Sequence, residues 1–306
     1  MIVHVFANKS NIGDWLSAKG IQTTLADHSV TELFCDMPFV NTTIARLQSL
    51  SPNDFVVIGG GGLFMDYFSP FWESFLPNAE RVPYGIWGVG YCDLTHEASL
   101  PQSSLVKAIV DKSRFCYVRD ELTRTYISGV LLPPPASCPS LLALQPTVNN
   151  LRGLLHVDNY TTVGSDAFDV MDEVGRAIAV ETNRVYRRTN NRVQPADEAQ
   201  LFQCIELYQQ SDIVLTSALH GCVISAALNK KIVAVSGDRK IDSFMKSVGL
   251  SDWVCSRDDL SKLPHLLKNV EKQEPCCQRV AAFRQAHEEI GRNVRAAIAG
   301  AHSIKH

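Results

Sequence analysis

The chain contains no run of 18 apolar residues, so nothing in it reads as a membrane-spanning helix. It has no Cys-x-x-Cys pair, and the adjacent Cys276 and Cys277 do not have the spacing that clamps zinc. No charge of one sign dominates. The 29 Lys and Arg stand against 32 Asp and Glu, and a net charge of −3 gives nucleic acid no basic surface to recognise. The four glycines Gly59–Gly62 do not follow the Gly-x-Gly-x-x-Gly spacing with an acidic residue some twenty positions on, which sets a nicotinamide cofactor aside. The first residues, Met1 to Ala7, carry neither a charged leader nor a cleavage site. Of the nine cysteines, Cys35, Cys92, Cys116, Cys204 and Cys222 lie singly in apolar segments, as small buried hydrophobes do, and a cytoplasmic location is expected.

What remains is the composition of a globular protein: 306 residues, 45% hydrophobic and 20% charged, enough chain for two cores. Near-continuous apolar strands are expected at 2–7, 31–36, 54–59, 85–90 and 115–119, with helical stretches between them. That alternation indicates a parallel sheet covered on both faces. A proline cluster at 133–135 then stops regular structure. Strands resume at 153–158, 212–217 and 231–236, again separated by helices. The fold class is therefore α/β, with two Rossmann-like domains facing across a cleft in the glycosyltransferase-B manner. The expected division is a first domain over 1–135, a hinge over 136–150 and a second domain over 151–275. A last helix within 276–306, with Val280, Phe283, Ile290, Val294 and Ile298 on one face, is expected to cross back onto the first domain.

Ligands in open α/β sheets bind beyond the carboxyl ends of the strands, so polar residues there are the candidates. His220 leads them. It follows the apolar run Ile213 to Leu215 at a Thr216-Ser217 turn, and Gly221 opens a helix of small apolar residues. A helix amino terminus offers unpaired N–H groups to an anion, and histidine titrates near neutrality. Asn11, Gly13 and Asp14 follow the first strand and suit either a plain helix cap or a loop that holds an acceptor. Gly60 and Gly61 are compatible with a tight turn or a cleft-lining loop, and Trp87 with core filling or cleft lining. Arg119 ends the fifth strand. His156 sits in the first strand of the second half, and Arg239 and Lys240 follow its third; a surface or core role is open for each.

The order and spacing of these pieces resemble the polysaccharide pyruvyl transferase family. The resemblance runs through Asn11-x-Gly13-Asp14, Gly59 to Phe64, Gly85-x-x-Gly88-x-Gly90 and Val118-Arg119-Asp120. It continues through Cys138-Pro139-Ser140, Ser217-Ala-Leu-His220-Gly221 and Lys240-x-Asp242. It implies transfer of pyruvate from phosphoenolpyruvate to a sugar as a ketal, in capsular, exopolysaccharide or cell-wall polymers, with no cofactor beyond the donor and no metal. Many members carry an arginine two residues before the histidine, where this chain has Ala218. A branch similar to exopolysaccharide ketal pyruvyltransferases has a small residue there and a histidine in the first strand of the second domain, as His156 is. His156 lacks that branch's usual preceding proline, since Leu155 stands there.

On this reading His220 is the acid that protonates the donor's methylene carbon, and His156 or Asp14 accepts a sugar proton. Arg119, Ser217, Gly221, Arg239 and Lys240 are expected to hold the donor, and Asn11, Gly60, Gly61 and Trp87 the acceptor. Lipid-linked acceptors would bring peripheral contact with the inner face of the plasma membrane, served by Arg279, Arg284, Arg292 and Arg295 unless these form a solvated face. Two other readings stand beside it: a glycosyltransferase using a sugar nucleotide, and a non-catalytic glycan-binding relative.

Overall fold

The computed structural model describes residues 1–26, 28–92, 103–127, 129–146, 152–193 and 197–303. The expected domain, hinge and helix ranges include residues 27, 93–102, 128, 147–151, 194–196 and 304–306, which lie outside the described residues. The first sheet is β1 (Ile2–Phe6), β2 (Val30–Phe34), β3 (Phe55–Phe64), β4 (Tyr84–Tyr91) and β5 (Cys116–Val118), in the order β2-β1-β3-β4-β5. The second is β6 (Gly153–Val157), β7 (Val185–Thr189), β8 (Ile213–Thr216), β9 (Lys231–Ser236) and β10 (Val254–Ser256), in the order β10-β9-β8-β6-β7. Every pairing is parallel. The two sheets share one topology, and each reverses direction beside its first strand: between β1 and β3, and between β6 and β8. Those switch points leave an open crevice above the strand ends.

Parallel strands explain the composition, because both faces are covered and β1, β6 and β8 are buried at every residue. Two strands departed from expectation. β7 is Val-Tyr-Arg-Arg-Thr at a sheet edge, with no apolar run to announce it, and β10 has three residues. The four glycines are not a loop after β3 but its continuation, bent by positive φ at Gly60 (84°) and Gly61 (97°) and by a register shift before Phe64.

The helix Cys277–Ser303 belongs to both halves. Cys276 and Val280 pack with Leu219, Val223 and Ile224, whereas Ile290, Val294 and Ile298 pack with Ile2, Ile21, Phe55, Val57 and Trp87 of the first domain. Each such apolar side chain contributes about 1.5–3 kcal/mol when buried. Its arginines are mostly spent on carbonyls. Arg284 donates to Leu141, Leu144 and Ala227 oxygens, Arg295 to Thr24 and Arg279 to Ser247, so of the four only the exposed Arg292 has no such bond. No helix among the described residues is long and apolar enough to cross a membrane.

Candidate active site

The two switch points face each other. Ser10 and Ile12 of the first domain exchange backbone hydrogen bonds with Val193 (2.8 Å) and Asn191 (3.0 Å) of the second, which clasps the domains at the crevice. Behind the clasp lies a polar cavity of about 450 Å³. Asp14, Arg119, His220 and Lys240 all line it.

Each of the four is seated by its local sequence. Asn11 caps the helix Ile12–Thr24 by accepting from the Gly13 N–H (2.9 Å), which sets Asp14 in the first turn. A Cβ on Gly61 would lie 2.6 Å from Asp14 Oδ1, so the bare glycine lets that carboxyl settle onto the sheet. A Cβ on Gly13 would lie 1.9 Å from the His220 ring, so an absent side chain in one domain makes room for the imidazole of the other. Arg119 is 3% exposed, donates to Asp120 (2.8 Å) and the Tyr91 oxygen (3.0 Å), and lies where a Cβ on Gly90 would stand. Lys240 is 8% exposed and ion-pairs with Asp238 (2.7 Å), the cap of its helix Arg239–Ser247. Its ammonium also reaches Cys92 Sγ (3.1 Å), a thiol expected in the core that instead lines the cavity.

The electrostatics follow from burial. Asp14 is pushed up to about 7 by desolvation, against the pull of Arg119, Lys240 and Arg192. His220 is pushed down to about 3 by desolvation and then by the same Arg119 and Lys240. Near neutral pH the imidazole is therefore neutral, and the carboxyl keeps its proton far more readily than an ordinary aspartate. The helix Leu219–Ala227 points its first turn at the cavity, and Ala218 and Leu219 line it.

The polysaccharide pyruvyl transferase family model matches residues 11–239, from the loop after β1 to the loop after β9. The chain belongs to that family. No curated protein matches the chain. Among solved structures it is similar to the Neisseria meningitidis UDP-GlcNAc 2-epimerase bound to UDP-GlcNAc, with 10% identity, TM-score 0.58, and coverage of 95% of this chain and 100% of that one. S. aureus MnaA in a co-structure with UDP is similar at 9% identity and TM-score 0.58, covering 92% and 90%. At that identity the likeness shows the fold, which is glycosyltransferase-B.

Other candidate residues of this polysaccharide pyruvyl transferase family chain lie away from the cavity. His156 is fully buried under the helix Ser165–Glu181, with Nδ1 2.8 Å from the Tyr186 hydroxyl and its ring stacked on Phe168. His156 shares with Leu154 the sheet face that this helix covers and stops two residues short of Asp158, which lies beyond the strand end and does line the crevice. Trp87 is sealed beneath the final helix and donates to His287 Nδ1 (3.2 Å), so its ring has no surface for an acceptor. Gly60 backs onto Ser17, and it is Gly62 that lines the cavity. Gly221 packs on Thr216, and the buried Ser217 hydroxyl accepts from the Asn159 N–H (2.8 Å); both shape the turn below His220. Arg239 points away from Lys240, donating to the Tyr126 hydroxyl (3.0 Å) across the domain boundary.

The cavity also contains residues the sequence did not single out: Asn8, Asp36, Tyr67, Cys92, Asp158, Asn190 and Arg192. Asp36 and Asp158 follow the ends of β2 and β6, which is a usable signal. Asn190 follows the end of β7, a strand with no apolar run to announce it, and Tyr67 carries no such signal. Among the described residues no group of three or more His, Cys, Asp or Glu is placed to hold a metal ion.

Proposed function

We propose that the protein moves the enolpyruvyl unit of phosphoenolpyruvate onto two hydroxyls of a saccharide, within a bacterial polysaccharide or its lipid-linked precursor. The observation that carries this is the meeting of two buried cations from opposite domains, Arg119 and Lys240, in one cavity with Asp14 and His220. A small trianionic donor suits that pair together with the amino terminus of the helix Leu219–Ala227. In this reading Arg119 and Lys240 take the place of the arginine absent at Ala218, and Arg239, held at Tyr126, does not.

The chemistry adds a proton to the donor's methylene carbon and bonds both sugar oxygens to the central carbon. The bond from that carbon to the phosphate oxygen breaks. Of the two hydroxyl protons, one balances the proton delivered to carbon and the other leaves with phosphate. The charge states favour an exchange of the roles expected from sequence: Asp14 delivers the proton and His220 accepts one from the sugar. A bound trianion raises both groups, which loads Asp14 and brings His220 up from about 3 toward the range where a general base works. Arg119 and Lys240 stabilise the charge that develops on the departing phosphate.

The test is a thermal-shift screen with phosphoenolpyruvate and with UDP-sugars, followed by phosphate release and a ketal mass increment on pyranoside acceptors. Stabilisation by phosphoenolpyruvate with release of phosphate is expected. Stabilisation by UDP-sugars alone would replace this reading with a sugar-nucleotide enzyme.

A further inference from the structure

The lining of the cavity is mixed. Beside Arg119 and Lys240, its wall includes Asn8, Asn11, Asp36, Asp158 and Asn190 with the ring of Tyr67. Such a wall offers carboxylate acceptors and amide groups, the complement of a set of hydroxyls. Arg192, exposed, is the one other cation among the described lining residues.

Tyr67 is unusual there because it is held yet uncovered. Its hydroxyl donates to Asp36 Oδ1, while Asp36 also accepts from Asn8 Nδ2 (2.7 Å) and the Met37 N–H (2.9 Å). The ring stands edge-on to the buried Phe68 at 4.9 Å between centroids. Even so, 46% of the residue remains exposed. A ring fixed at its tip and at one edge has little rotamer freedom left to lose, so a ligand laid on its open face binds with a small entropic penalty. The ligand surface that fits such a face beside carboxylates is the C–H face of a pyranose, whose rim of hydroxyls reaches the polar wall.

We infer that Tyr67 is the stacking platform for the acceptor sugar, and that Asp36 and Asp158 restrict this position to a sugar residue without negative charge. The inference rests on the proposed function for the identity of the acceptor. It goes beyond that reading in assigning the residue and the charge class. A uronate placed on Tyr67 would bring its carboxylate against Asp36 and leave it desolvated without a buried cation.

Saturation-transfer NMR with methyl glycosides of neutral hexopyranoses and with a methyl glucuronide tests this without requiring turnover. Neutral glycosides should bind the wild type, and Tyr67→Ala should weaken them about 3- to 10-fold, the usual worth of an aromatic contact. Tyr67→Phe, which keeps the ring and drops the tether, should stay within about twofold, and the glucuronide should bind more weakly than its neutral counterpart. Neutral binding unchanged in Tyr67→Ala, a glucuronide bound as well as a neutral sugar, or no neutral glycoside bound at all would each overturn the inference. Melting shifts with phosphoenolpyruvate, measured on the same variants, separate the two readings. Absence of a shift in every variant, with Tyr67-dependent glycoside binding, would remove the donor and leave the platform standing. Equal shifts in wild type and Tyr67→Ala are expected, because the Tyr67 hydroxyl is spent on Asp36 and its ring edge on Phe68.

Discussion

Replacing Asp14 with asparagine isolates the ionisation at the centre of the site, because the amide keeps the shape of the side chain and cannot titrate. Asp14 is raised from 3.8 to about 7 by burial. A carboxyl raised in the folded state contributes fully below its unfolded value, and that contribution is lost as pH climbs to the folded value. Between pH 5 and 8 the wild type should therefore lose stability that the variant keeps. Two units of that climb are worth about 2.7 kcal/mol, and solvent reaching the partly exposed residue trims this to roughly 1–2 kcal/mol. Urea unfolding of both proteins at pH 5, 6, 7 and 8 reads the difference, and other titrating groups cancel in it. Activity supplies the second measurement. If Asp14 delivers the proton, kcat/KM of the wild type should fall above about pH 7 and kcat only at higher pH, and the variant should lose about 10²- to 10⁴-fold in kcat with a nearly unchanged donor KM. A stability difference that does not vary with pH would refute the electrostatic argument. A variant with full turnover would refute the catalytic one.

Gly13→Ala should displace the His220 ring, destabilising the protein by about 1–3 kcal/mol and lowering activity. In a His220→Ala background the same change should cost much less, and an additive double-mutant cycle would show that the ring does not occupy that space. Lys240→Met should raise the donor KM about 10- to 100-fold through loss of a charge-assisted contact; an unchanged KM in steady-state assays would take Lys240 out of the donor site. His156→Asn should leave kcat within a few-fold while lowering the melting temperature, since the Tyr186 hydroxyl and the Phe168 ring would lose their partner. A selective loss of kcat without a melting shift would return His156 to the chemistry.

The sequence disclosed the two α/β halves because buried parallel strands must be apolar throughout and helices must separate them. It disclosed Asp14, Arg119, His220 and Lys240 for a related reason: each interrupts that pattern just beyond a strand end, where only a crevice or solvent can receive a polar group. His156 misled because a strand residue can be covered by a helix before the strand reaches its end, and this one lies under the helix Ser165–Glu181, two residues short of the crevice. Trp87 was hidden by a helix two hundred positions away in the chain. Tyr67 and Cys92 were not legible at all, since their places depend on how β2, β3 and the opposing domain converge. The charge states of Asp14 and His220 were likewise out of reach, because each is set first by burial in the assembled crevice and then by cations from segments distant in sequence.

The sharing of the helix Cys277–Ser303 has a consequence for how the chain is born. The first domain is synthesised first, yet Ile2, Ile21, Phe55, Val57 and Trp87 stay uncovered until Ile290, Val294 and Ile298 have been made. The second domain needs no such wait for most of its core, which lies between Leu154 and Val280. One face of the first domain therefore waits for the end of the chain, although its other core, from Val3 to Leu132, lies wholly within that domain. A chain stopped before position 290 would leave that apolar face of the first domain bare to water and open to other chains.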